Sequence, residues 1–312
     1  MSDTGLDALI SFLRAARYEF VTPTPATHLR VNSRAGNGRA RSLADIFGWN
    51  RPFQSELLPL SLFEILRDGA IIRDELEGWK SLVRASTLFG DVFLHSAFPT
   101  IAADAVFFGP DTYRFASAIR NALRSRPGKV GRALDIGCGS GAGGVIAARH
   151  TACSEVFMTD INGTALQLAR VNAASAGVKA TIYHSDLFSN IDGYFDLIVA
   201  NPPYLNDPLQ RSYRHGGGDL GSALSIRIAE HAKDRLSPGG SLILYTGSPI
   251  VSGTDHVRSA IERSFRGCDL VWSYHEIDPD VFGEELESQV YNSVDRIAAV
   301  VLVAEKPGAL PC

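Results

Sequence analysis

The chain has 312 residues, 45% of them hydrophobic and 21% charged, with a formal net charge of −4. That balance excludes a disordered or fibrous protein, and the acidic excess excludes a broad basic nucleic-acid footprint while leaving room for a local patch. The length suits one full α/β domain and a smaller companion.

In chain order, the first twenty residues lack a basic stretch followed by an uninterrupted apolar one, so they do not read as a secretory signal. No later window approaches ~18 apolar residues, and a cytoplasmic protein with no membrane partner is expected. An amphipathic helix is predicted over residues 6–16, with Leu6, Leu9, Ile10 and Leu13 at helical spacing. Residues 28–41 form a polar, basic stretch with Arg30, Arg34, Arg39 and Arg41, read as a solvated loop in preference to a phosphate clamp. Helices are predicted from Ser42, as an N-cap, and over 56–67. Strand-like runs follow at 70–73, 81–89 and 92–94, with Gly90-Asp91 as a hairpin turn. Residues 1–105 are therefore expected to be a small α+β, winged-helix-like domain that chooses the substrate.

From residue 106 the texture changes. Short apolar runs at 133–136, 155–160, 181–186, 195–200 and 240–246 alternate with helical patterns such as 163–176 and 222–236. That alternation predicts a parallel sheet with helices on both faces. Two final strands, at 269–276 and 297–305, lack a helix between them and fit an antiparallel hairpin. The predicted fold over 106–312 is a doubly wound α/β domain with a seven-stranded, mostly parallel sheet. The four cysteines (Cys138, Cys153, Cys268, Cys312) show no metal-ligand or disulfide spacing, so reduced thiols and no metal are expected.

Four motifs carry chemistry. The turn Leu134-Asp135-Ile136-Gly137-Cys138-Gly139-Ser140-Gly141 ends the first strand, where glycines let a ligand approach the backbone. A dinucleotide site would place a third glycine at Ala142, and an acid beside the ligand suits a cation better than a phosphate. Asp160, closing the second strand, can accept from both hydroxyls of a ribose; capping the next helix is its plainer role. Asp186, after the third strand, can accept from an adenine amino group, with Ile161 or Leu187 packed on the ring. Asn201-Pro202-Pro203-Tyr204 follows the fourth strand directly. The prolines end the strand and remove competing N–H groups. The Asn201 side chain and the Pro202 carbonyl can then both accept from one –NH₂ group, with Tyr204 offering a flat face.

These motifs resemble the class I S-adenosylmethionine (SAM) methyltransferases with an NPPY signature, in the branch of the release-factor glutamine and small-domain rRNA guanine methyltransferases. The resemblance covers about residues 106–305. It implies SAM as cofactor, with Asp135, Gly137, Gly139 and Gly141 at the methionyl part, Asp160 at the ribose, and Asp186, with Ile161 or Leu187, at the adenine. It implies Asn201, Pro202 and Tyr204 as the catalytic group that holds the acceptor nitrogen, with Asn201 also bordering the cofactor. Phe108 and Thr112 fall in a segment similar to the one that covers the cofactor in the glutamine enzymes, although Gly109 stands where those carry arginine. The front region is not their five-helix domain.

The expected reaction is methyl transfer to a planar amide or exocyclic amino nitrogen of a macromolecule. The acidic charge and the Gly109–Thr112 segment favour a protein glutamine. The front region points instead to an RNA or DNA base, at guanine N2 or adenine N6. A small-molecule acceptor and a non-catalytic scaffold are the further alternatives. Residues 213–219 read as a mobile lid or a plain surface loop, and residues 278–285 as a substrate wall whose acids receive a cationic substrate or are simply solvated.

Overall fold

A computed structural model describes residues 1–124, 130–151 and 153–308. The chain opens with α1 (Asp3–Ala15), whose Leu6, Leu9, Ile10 and Leu13 are all buried. Helix α2 (Pro25–Asn32) starts at Thr24, whose hydroxyl accepts from the Thr27 N–H, with Pro25 at the first helical position. It occupies the start of the stretch expected to be loop. A π-type turn (Ala44–Gly48) stands where a helix was predicted from Ser42, and α3 (Leu60–Asp68) follows.

Two hairpins complete the front region instead of one: β1 (Ile72–Glu75) with β2 (Gly78–Ser81), and β3 (Val83–Leu88) with β4 (Asp91–Ser96). Leu88 pairs with Asp91, so Phe89-Gly90 is the turn, one residue earlier than expected. Both turn residues have positive φ (49° and 92°), the geometry that matches the twist of a two-residue hairpin.

Beyond α4 (Pro110–Arg124) the strands and helices alternate as predicted. They run β5 (Arg132–Ile136), α5 (Ala142–His150), β6 (Glu155–Asp160), α6 (Gly163–Ser175), β7 (Ala180–His184), β8 (Phe195–Ala200), α7 (Ala223–Arg235) and β9 (Leu236–Val251). The short β10 (Thr254–Asp255), α8 (His256–Ser264), β11 (Val271–Asp278) and β12 (Arg296–Glu305) close the domain. The sheet order is β11-β12-β9-β8-β5-β6-β7, with β10 added beside β9. Strands β5 to β9 pair in parallel, and β11 and β12 form the expected antiparallel hairpin. Along the central strands the faces alternate: Ala133, Leu197, Val199 and Ile243 belong to one core, and Leu134, Ile136, Ile198 and Leu242 to the other.

Helix α6 is buried on two sides. Ala169 and Ala173 face the sheet core, whereas Ala165, Leu168 and Val171 join the core of the front region with Leu6, Leu9 and Leu13. Asn172 adds polar ties: its amide meets the backbone N–H and C=O of Leu94 on β4 (2.8 and 2.9 Å) and the Ser140 carbonyl (2.9 Å). The front region and the α/β domain thus share apolar packing around one helix.

Candidate active site

The chain crosses from one half of the sheet to the other between β5 and β8, and the loops after β5, β6, β7 and β8 gather there around one cleft. Open α/β sheets bind ligands at such a crossover, at the carboxyl ends of the strands. Asp135, Gly137, Gly139, Asp160, Ile161, Asp186, Leu187, Asn201, Pro202, Tyr204 and Thr112 all line it.

The glycine turn is held open by its own backbone. Gly137 and Gly139 have φ of 64° and 53°. A Cβ built on Gly137 meets nothing within 4 Å, and one on Gly139 meets only Val106 at 3.9 Å. The space above this backbone is free for a ligand. Asp160 spans the turn, its two carboxylate oxygens accepting the N–H of Gly139 and of Asn162 (both 2.9 Å). Helix α6 is capped by Asn162, not by Asp160, which frees the acid from its plainer role. Asp135 lies fully inside and accepts the Gly144 N–H at 2.7 Å. Burial pushes its pKa up to about 7, with the neighbouring Asp160 pushing the same way, and burial raises the Asp160 pKa as well. A third acid, Asp186, is exposed at the far end, and Ile161 presents an apolar side chain 53% exposed. Three carboxylates, an apolar face and open glycines fit a cationic amino-acid group, a ribose diol and an adenine. The same set repels a pyrophosphate.

Just beyond β8, the side-chain amide of Asn201 lines the cleft and has no hydrogen-bond partner among the described residues. Tyr204 is buried, its hydroxyl donating to Asp111 at 2.7 Å. Tyr245, from β9, donates to the other oxygen of Asp111 at 2.6 Å, and Arg114 pairs with both Asp111 and Asp278. Burial pushes the Tyr204 hydroxyl well above its ordinary range, so it stays protonated and donates. The ring also lies where a Cβ on Gly247 would fall, 2.2 Å from its edge, so glycine there makes room for it.

Residues 105–276, more than half of the chain, match the methyltransferase small domain family. The chain belongs to that family. Fold and family are those of SAM-dependent methyltransferases. Over 118 residues the chain is 35% identical to the ribosomal RNA small subunit methyltransferase C of Haemophilus influenzae, which covers 38% of this chain and 33% of that one. Over 112 residues it is 38% identical to the enzyme of that name from Actinobacillus pleuropneumoniae, covering 36% and 31%. The chain thus spans about a third of the length of these curated relatives. Among solved structures, the tRNA m1G37 methyltransferase of M. jannaschii shares the fold at 14% identity and a TM-score of 0.50, covering 76% of this chain and 63% of that one.

Two expected site residues stand elsewhere. Phe108 does not reach the cleft: it is fully buried, stacked on His95 at 5.0 Å, and its neighbour Phe107 lines the cleft instead. Gly141 also faces away. A Cβ there meets Ala169 and Met158 at 3.2 Å, so this glycine lets α5 approach α6. The expected domain boundary at 105/106 falls inside the segment 105–107, which lines the cleft, while Asp104 accepts from Asn162 and Thr164 (2.8 and 2.9 Å). The front region therefore reaches the cleft.

The segment expected to be a mobile lid is tied down. Tyr213 donates to the Thr100 carbonyl (2.5 Å), Ser212 to that of Ala103 (3.0 Å), Arg211 pairs with Asp207, and Arg214 pairs with Glu285. The acids of residues 278–285 do not form the expected wall: Asp278 and Glu285 pair with Arg114 and Arg214, and of this segment only Phe282 lines the cleft. Asp111, Tyr245, Phe107 and Phe282 were not singled out from the sequence. Of these, Asp111 and Phe282 had a signal: Asp111 stands beside Thr112 in the cofactor-covering segment, and Phe282 lies within the 278–285 segment read as a substrate wall.

Cys138, Cys153 and Cys268 are free thiols, and Cys312 lies outside the described residues. Among the described residues, no group of three His, Cys, Asp or Glu side chains is placed to hold a metal, and no helix is long and apolar enough to cross a membrane.

Proposed function

We propose that the protein methylates an exocyclic amino nitrogen of an RNA base, N2 of a guanine in small-subunit ribosomal RNA. The observation that carries the reaction type is Asn201: an unpartnered amide at the end of β8, lining the cleft with the glycine turn and the three acids. Two acceptors on one –NH₂ group draw its lone pair out of conjugation and aim it at the cofactor half of the cleft. SAM, when bound, supplies an electrophilic methyl on a positively charged sulfur. Asn201 and the Pro202 carbonyl would hold the acceptor nitrogen for transfer of that methyl, with S-adenosylhomocysteine leaving and the nitrogen's extra proton lost to water. No side-chain base is required.

Two findings favour a base over a protein glutamine. The curated relatives bear the name of a ribosomal RNA methyltransferase over the matched segment. The mouth of the cleft is also aromatic: the rings of Phe107 and Tyr213 are parallel within 3°, with centroids 6.5 Å apart, and Phe282 lies beside Tyr204. Aromatic faces suit a splayed-out nucleobase, the form in which single-stranded RNA is read. Incubation of the protein with methyl-labelled SAM and stripped small ribosomal subunits tests the reading. Label released by ribonuclease supports it; label released by protease and resistant to ribonuclease restores the glutamine acceptor.

A further inference from the structure

Residues 21–44 contain four arginines and no acidic residue, in a chain whose net charge is −4. Arg30 lies on α2, and Arg34, Arg39 and Arg41 on the loop after it; all four are exposed. The side chains of Arg30, Arg34 and Arg39 have no carboxylate or other hydrogen-bond partner among the described residues. Arg41 donates to the Gly36 carbonyl at 3.1 Å and so braces the loop on which it sits. The nearest acid in sequence, Asp45, is already engaged by Arg51 at 2.5 Å and by the Arg41 N–H at 3.0 Å.

His28 of α2 is buried, and its pKa is lowered to about 4, first by burial, with Arg84, Arg51 and Lys80 all acting in the same direction. The surface is also joined to the cleft. His28 stacks on Phe98 at 4.0 Å, and the loop that begins with Phe98 accepts hydrogen bonds from Tyr213 and Ser212, both of which line the cleft. One loop thus has the cleft mouth on one side and the arginine face on the other.

We propose that the exposed face of α2 and residues 33–41 docks the phosphate backbone of the RNA whose base enters the cleft. A strand that delivers one base to Asn201 must place its flanking phosphates outside the mouth, and unpaired arginines offer both charge and bidentate geometry to them. A solvated loop would need no such concentration of one sign. The inference rests on the RNA reading of the site.

The test is fluorescence anisotropy of a labelled 30-nucleotide, guanine-containing single-stranded RNA, with S-adenosylhomocysteine present and salt varied between about 50 and 200 mM. The triple variant Arg30→Ala/Arg34→Ala/Arg39→Ala is expected to bind at least tenfold more weakly at low salt. Its slope of log K against log salt should be shallower by about two, the counterion release of three phosphate contacts on a single strand. SAM affinity should be unchanged, which shows the variant folded, and the corresponding triple lysine variant should recover most of the slope. If the wild type binds and methylates RNA and the alanine variant has the same affinity and slope, the docking surface is wrong while the RNA reading stands. If the wild type does not bind RNA at the lowest salt, both fall. Competition by polyglutamate as strong as by RNA of equal charge also overturns the assignment to RNA.

Discussion

Asp111 has each of its two oxygens bound by a buried tyrosine hydroxyl, Tyr204 on one and Tyr245 on the other. Tyr204 was expected to act through its ring face alone. Tyr204→Phe keeps that face and removes one buried hydrogen bond to a charged group, so it should destabilise by about 1–3 kcal/mol. The residual hydrogen bond and the Arg114 pair hold Asp111 in place, which favours the lower end. Turnover should fall with the loss of ring position while SAM affinity holds. A melting temperature and turnover both equal to wild type would show that the hydroxyl contact positions nothing.

Asp135 makes a pH prediction. Its ordinary carboxyl pKa is 3.8, and burial raises the folded value to about 7. The folded state therefore prefers the protonated form. The contribution of this group to stability is complete below about pH 4 and is lost as the pH rises to about 7. Asp135→Asn keeps an acceptor for the Gly144 N–H and cannot titrate. In ligand-free protein it should flatten the decline in melting temperature across that window, whereas an identical profile would remove Asp135 from the titration.

At the scale of elements, α6 joins the two halves. Asn172→Ala leaves the Leu94 N–H and the Leu94 and Ser140 carbonyls without their side-chain partner in a buried seam, at a cost of about 1–3 kcal/mol for each group left unsatisfied. Chemical denaturation should show a loss of at least about 2 kcal/mol; a loss under about 0.5 kcal/mol would mean that the halves are held by apolar packing alone.

The elements also show what a sequence can display. Strands β5, β6 and β8 are short apolar runs bounded by turn residues, so period and composition announce them, and the acids that follow them fall where a ligand must lie. The β1–β2 hairpin was not legible because Ile72-Arg73-Asp74-Glu75 and Gly78-Trp79-Lys80-Ser81 are half-polar and lack a hydrophobic alternation. Helix α2 was hidden by its polar composition, although Thr24 and Pro25 form a start signal. The Phe107/Phe108 exchange follows from direction: neighbouring residues point to opposite sides, and nothing local says which side is the cleft. The tie between Tyr204 and Tyr245 joins positions far apart in sequence, which no local pattern reveals.

For the whole molecule, the acidic net charge weighed towards a protein acceptor when it was spread over the chain. Its distribution matters more than its sum. The acids Asp135, Asp160 and Asp186 line one cleft, and the unpaired arginines lie on one outer face. The central claim is that Asn201 holds the amino group of an RNA base against the cofactor half. Mass spectrometry of nucleosides from small-subunit rRNA, methylated by wild type and by Asn201→Ala, tests it most directly when SAM affinity is measured on both proteins. The account predicts N2-methylguanosine from the wild type. It predicts a rate lower by ~10²–10³ for the variant, with SAM affinity within about threefold, or ~0.7 kcal/mol. Equal yields of modified nucleoside from the two proteins, or methylation found only on protein glutamine, would contradict it.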